Sequence, residues 1–221
     1  MLGLSPFTAA LWSLVPAAGV AVMAPIGAAL AQRIDRAYVM GGGFLVSACG
    51  FLWLTQVRTD SALWFTLVGA SVYAGGLVAA MTLANELALG AAPPQRAGSA
   101  AAVLESGQEL GGALGMAVLG SIGAAVYSRD MSDALPSDMP HAEAVRETLG
   151  GATAANLPAA MADAVLAAAR DAFTHGMGVA SVGAAVVMAG AGLFSLGFLR
   201  GVGKTKGSTQ SSTEPGLTTL L

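Results

Sequence analysis

The chain has 221 residues, of which 55% are hydrophobic and only 10% charged, with a formal net charge of −3. A soluble domain carries roughly 25% charged residues, so this composition excludes an ordinary water-soluble globule, and the basic residues form no patch of the kind that binds nucleic acid. The single cysteine, Cys49, excludes an internal disulfide and fits no metal spacing; set in an apolar run, it reads as a buried, inert thiol.

These limits leave an all-α fold, a polytopic transmembrane helix bundle with about five spans. A bilayer core of about 30 Å takes about 20 helical residues. The first stretch that qualifies is residues 9–31. It holds Pro16 and Pro25, which membrane helices tolerate because neighbours re-satisfy the freed backbone groups. It is too long for a signal-peptide apolar region, and Gln32-Arg33 follows it in place of a small-residue cleavage site. The link QRIDR, Gln32 to Arg36, leads into the second span, residues 38–57. A tight link at Arg58-Thr59-Asp60 precedes the third, residues 62–83. Trp53 and Trp64 flank that link, as interfacial aromatic anchors do.

The third helix is expected to overrun the membrane as far as Asn85 and Glu86, until Pro93-Pro94 ends it. The fourth span, residues 98–127, is longer than a bilayer needs and so tilts or projects. Residues 128–171 form the one long polar insertion, acidic overall. Within it Pro140 can open a short helix that carries Val145 and Leu149 on one face, and Asn156 can cap a second from Leu157 to Arg170. The fifth span is residues 172–199. The tail, residues 200–221, is too polar to pack and reads as disordered. The membrane domain is thus residues 1–199.

Orientation follows from the placement of Lys and Arg. One side collects Arg33, Arg36, Arg96, Arg200, Lys204 and Lys206; the other collects Arg58, Arg129, Arg146 and Arg170. The six-residue side is expected to be cytoplasmic. That puts the N-terminus and the acidic insertion outside and the tail inside a cell membrane.

The fourth span carries the chemistry. Glu105 and Glu109 lie inside it, although a charge at mid-bilayer costs about 2.5–3.5 kcal/mol on insertion scales. At 1.5 Å per residue they stand about 10 and 16 Å along the helix from Gly98, so Glu109 is the deeper. Four residues apart, they share one face, about 40° from each other. Gly107, Gly111 and Gly115 form a doubled GxxxG stripe about 140° away, a face suited to close helix packing. The carboxylates are therefore expected to face a polar cavity. There they would act as a coupled pair, with cation and proton competing for the same negative charge. A headgroup-level pair, or a static pair that joins two helices, is the alternative. Gln108, Asn85 and Glu86 are accessory candidates; an interfacial, solvated glutamate is the plainer reading of Glu86. Arg33, Asp35 and Arg36 are either a loop motif or simple charged anchors.

Nothing here calls for a cofactor or a metal. His141 and His175 are read as surface or interfacial residues outside the spans, neither with a Cys or His at ligand spacing. Without HExxH, or a histidine beside a serine within a span, an intramembrane enzyme is disfavoured.

Four segments carry a family resemblance: LGLSPFTAALWSLVPAAG (Leu2 to Gly19), GAALAQRIDR (Gly27 to Arg36), PPQRAGSAAAVLESGQELGGALGMAVLGSI (Pro93 to Ile122) and AFTHGMGVASVGAAVVMAGAGLF (Ala172 to Phe194). Together they resemble the C-terminal part of a major facilitator superfamily transporter of the fourteen-helix drug:proton antiporter family, the QacA-like and SmvA-like multidrug exporters. The third segment, similar to that family's penultimate helix, is the most specific. The resemblance implies a partial C-terminal half of the major facilitator fold, separated from an N-terminal half that would complete it. It also implies proton-driven export of lipophilic or quaternary-ammonium cations, with Glu109 and Glu105 where that family's acids fall. The loop motif departs from the family pattern, with Ala28, Gln32 and Asp35 where Gly, Asp and Gly are usual. Transport of another small solute, such as an amino acid or metabolite, and a truncated chain inactive on its own remain the alternatives.

Overall fold

The computed structural model describes residues 6–135, 142–154 and 159–199. Its described residues are almost all helical, with turns in the links, and five stretches are long and apolar enough to cross a membrane. α1 (Pro6–Trp12) and α2 (Leu14–Ala31) share the first of these. The break between them falls at Ser13, where the Oγ donates to the Ala10 carbonyl at 2.6 Å. Pro16, three residues on, has no N–H to return to the Trp12 carbonyl, so the ladder weakens there. Pro25 sits inside α2.

α3 (Arg36–Leu54) begins where the Asp35 carboxylate accepts the Ala37 N–H at 3.1 Å, an N-cap that satisfies one of the helix's orphan donors. α4 (Leu63–Ala91) runs past Asn85 and Glu86 until Pro93-Pro94 stops it. α5 (Ala97–Ala134) and α8 (Ala159–Phe198) are the longest helices, of 38 and 40 residues, with the short α6 (Ala142–Glu147) and α7 (Leu149–Ala154) between them. The α2–α3 and α4–α5 links and the C-terminus of α8 mark one end of the bundle, the tail end. The α3–α4 link, α6 and α7 mark the other, the cap end.

α3 packs on both α4 and α8, α2 on α4, and α5 on α8. In space the order is therefore α2, α4, α3, α8, α5. Glycine sets the closest seams. A Cβ added at Gly76 of α4 would lie 2.5 Å from the Gly43 carbonyl oxygen of α3, and one at Gly176 of α8 would lie 2.6 Å from that of Gly123 of α5. Backbones approach this closely only where neither side has a side chain. Ser47 ties the α3–α4 seam further by donating its Oγ to the Tyr73 carbonyl at 2.8 Å. Cys49, expected to be buried, is exposed on α3, because the two seams of α3 use its other faces.

The insertion differs from the expectation of two separate surface helices. No break separates a helix ending at Arg170 from a span starting at Ala172; both belong to the continuous α8. The stretch from Ala159 to His175 has neither Gly nor Pro and is rich in Ala, the strongest helix former, so its charged residues change its exposure but not its conformation. The starts expected at Pro140 and Asn156 lie outside the described residues, as do His141 and the tail. Val145 is fully buried and Leu149 packs beside it, although Thr148 separates α6 from α7.

The result is a small cap with its own core. Tyr127, Met131, Val145, Val165 and Ala169 are buried against one another beyond the α5–α8 crossing. The Tyr127 hydroxyl donates to the Val145 carbonyl at 3.0 Å. Tyr127→Phe is expected to strand that buried carbonyl, at a cost of about 1–3 kcal/mol. Faster amide exchange across residues 142–147 would register the loss; unchanged exchange there would rule the bond out as a support. At the cap's base His175 Nδ1 meets Asp130 Oδ2 at 2.6 Å, joining α8 to α5, and Thr59 Oγ1 donates to Asp171 Oδ1 at 2.9 Å. His175, read as lying outside the spans, is thus a residue of the long α8.

Candidate functional site

α5 carries Glu105 and Glu109 with its backbone satisfied by its own ladder, so both side chains are free to project. Both are exposed, and so is Gln108 between them. Helix geometry fixes the direction they share. Glu105 lies 18 residues before Gly123, and Glu109 18 before Tyr127, which is about five turns at 3.6 residues per turn. The glutamates therefore stand on the face that, at the cap end, packs against α8 through Gly123.

That contact does not continue. The side chain of Leu119 lies 3.0 Å from a Cβ added at Gly183 of α8, whereas a Cβ added at Gly112 or Gly190 meets nothing within 4 Å. α5 and α8 therefore cross near Gly123–Gly176 and part toward the tail end. The two carboxylates sit on the α8-facing side of α5 in the length where the helices have separated.

A second contact holds the separated half. Gln108 Nε2 donates to Asn85 Oδ1 of α4 at 2.7 Å. α5 thus leans on α8 at the cap end and on α4 at the tail end, and the carboxylates face the wedge between. Asn85 and Gln108 come together as accessory neighbours. Glu86 is exposed on α4. Arg33 and Arg36 are exposed at the α2–α3 link, where Asp35 serves as the α3 cap. The expected glycine stripe is open in this chain, since a Cβ added at Gly107, Gly111 or Gly115 meets nothing within 4 Å. The seam that α5 does make runs through Gly123, which belongs to no GxxxG repeat and gave no sign from sequence alone. The cavities beside Arg58, Tyr127 and His175 all lie at the cap end, and none is lined by Glu105 or Glu109.

Comparison with known proteins adds lineage to this geometry. The profile of the Major Facilitator Superfamily matches residues 1–129. The chain belongs to that superfamily. It is 33% identical over 204 residues to the multidrug efflux pump LfrA of Mycolicibacterium smegmatis, covering 90% of this chain and 40% of the pump. It is 28% identical over 201 residues to the methyl viologen resistance protein SmvA of Salmonella typhimurium, covering 88% and 40%. It is 29% identical over 205 residues to the tetracenomycin C resistance and export protein of Streptomyces glaucescens, covering 86% and 37%. The chain thus spans about 40% of the length of these relatives. No solved structure matches it. Superfamily membership and five apolar helices make this a multi-pass membrane protein, and they point to a transporter rather than an enzyme.

Proposed function

We propose that this chain is the C-terminal part of a proton-coupled multidrug exporter that moves lipophilic or quaternary-ammonium cations by alternating access. One observation carries the reading: two carboxylates, four residues apart, stand in the apolar length of α5 on a face that has parted from its neighbour. Intramembrane acids are costly and mark ion or substrate paths, and a wedge beside them leaves room for a cation. The names of LfrA, SmvA and the tetracenomycin C exporter favour drug efflux, and methyl viologen is itself a bis-quaternary cation. The open Gly107–Gly111–Gly115 face is where a helix from the remainder of the transporter packs, and Glu105 and Glu109 then look into the shared midplane cavity. The tail end faces the cytoplasm and the cap end the exterior of the cell membrane. The energy source is the proton gradient.

Everted vesicles containing the full-length protein test this. Uptake of a cationic dye is expected to begin on acidifying the lumen and to stop within seconds of adding a protonophore. Dye uptake that survives complete collapse of the gradient would sink proton coupling. A panel in which neutral solutes move and cations do not would sink the substrate class.

A further inference from the structure

A cavity of about 450 Å³ opens at the cap end between the α3–α4 link, the start of α4 and α8. Its lining is two-sided in chemistry. Leu63, Phe173 and Met177 line it with apolar side chains, and Arg58 and Arg170 line it from separate elements. Two acids stand nearby, and both have partners. Asp171, also in the lining, accepts the Thr59 hydroxyl at 2.9 Å. Asp60 lies 3.8 Å from Arg58 Nε, with both side chains more than four-fifths exposed, a pair too long and too solvated to bind tightly. Leu63 also opens α4, whose N-cap Ala62 supplies no side-chain acceptor, so the positive end of that helix adds to the two arginines.

The depth of the cavity is marked independently. Trp53 and Trp64 flank the same α3–α4 link; Trp53 Nε1 donates to the Phe65 carbonyl at 3.1 Å, and Trp64 is exposed. Trp collects at headgroup level. Two arginines and an apolar lining beside an interfacial tryptophan pair suit a lipid phosphate with its acyl chains. Arg favours phosphate because its planar fork offers paired donors.

We propose that this cavity is a binding site for an anionic phospholipid, with Arg58 and Arg170 on the headgroup and Leu63, Phe173 and Met177 along the chains. The site joins the α3–α4 link to α8, so an occupied site holds the cap end of the bundle together. It is separate from the glutamate wedge and does not depend on what the transporter carries.

The test is thermal melting of the full-length protein in detergent, titrated with palmitoyl-oleoyl phosphatidylglycerol, with the matching phosphatidylcholine, or with inorganic phosphate. Phosphatidylglycerol is expected to stabilise the protein at concentrations about tenfold lower than phosphatidylcholine, and phosphate alone to do little. Arg58→Gln combined with Arg170→Gln, both exposed positions, is expected to erase that preference while leaving the melting temperature without added lipid unchanged. Equal potency of the two lipids in the wild-type protein would overturn the proposal. So would a preference that survives the double substitution, or a full shift produced by phosphate alone.

Discussion

Replacing Glu109 with glutamine in the full-length transporter is expected to reduce export of at least one cationic drug to the level of cells lacking the protein. Depth and charge set this outcome. Glutamine keeps the size of the side chain and its ability to hydrogen-bond, so the wedge between α5, α4 and α8 retains its shape. What it removes is the one property a proton and a cation can compete for. Glu109 stands about 16 Å along α5 from Gly98, deeper in the expected span than Glu105, and a fixed negative charge has more influence on a bound cation as the surroundings become less polar. Glu105→Gln, about 6 Å nearer the tail end, is expected to weaken export without abolishing it. Gln108→Leu would leave both carboxylates and break the bond to Asn85, which separates loss of charge from loss of helix position. Resistance at the wild-type level in Glu109→Gln would sink the role assigned here, whatever the other two do.

The parts legible in the sequence were those written in one segment. Five spans can be read from apolar length alone, and the glutamate face from a four-residue spacing. The insertion was harder. Its acids suggested a boundary near Asp171, but a helix ends where its backbone ladder fails, and nothing between Ala159 and His175 makes it fail. The helix seams were least legible, because each is a property of two distant segments. Gly43 with Gly76, and Gly123 with Gly176, meet only after folding. The repeat most visible in the sequence, Gly107–Gly111–Gly115, identifies a smooth face without identifying what lies against it. The direction of the glutamates became readable once Gly123 was known to touch α8, since five turns of helix connect the two ends of that face.

Substituting leucine for single glycines should separate these seams by a shift of about ten degrees at most in melting temperature, or by outright loss of folded protein. At Gly176 the added Cβ would meet the Gly123 carbonyl oxygen at 2.6 Å. The obstacle is backbone, which cannot rotate aside as a side chain can, so α5 and α8 must part. Overpacking costs typically about 1–3 kcal/mol and occasionally more, and a backbone clash at the crossing that carries the cap belongs at the upper limit. Gly176→Leu is expected to abolish the monodisperse peak of the full-length protein on size exclusion. Gly120→Leu is the control: it also puts leucine on an apolar helix, at a site where an added Cβ meets nothing within 4 Å. Leucine is a strong helix former and glycine a poor one, so that variant should melt no lower than wild type. Gly111→Leu then distinguishes the two descriptions of the glycine stripe. If a helix from the rest of the transporter packs there, as proposed, the variant behaves like Gly176→Leu although this chain offers it open space. A Gly111→Leu protein as stable and active as wild type would mean that the stripe faces lipid, and would remove the packing role assigned to it while leaving the α5–α8 crossing intact.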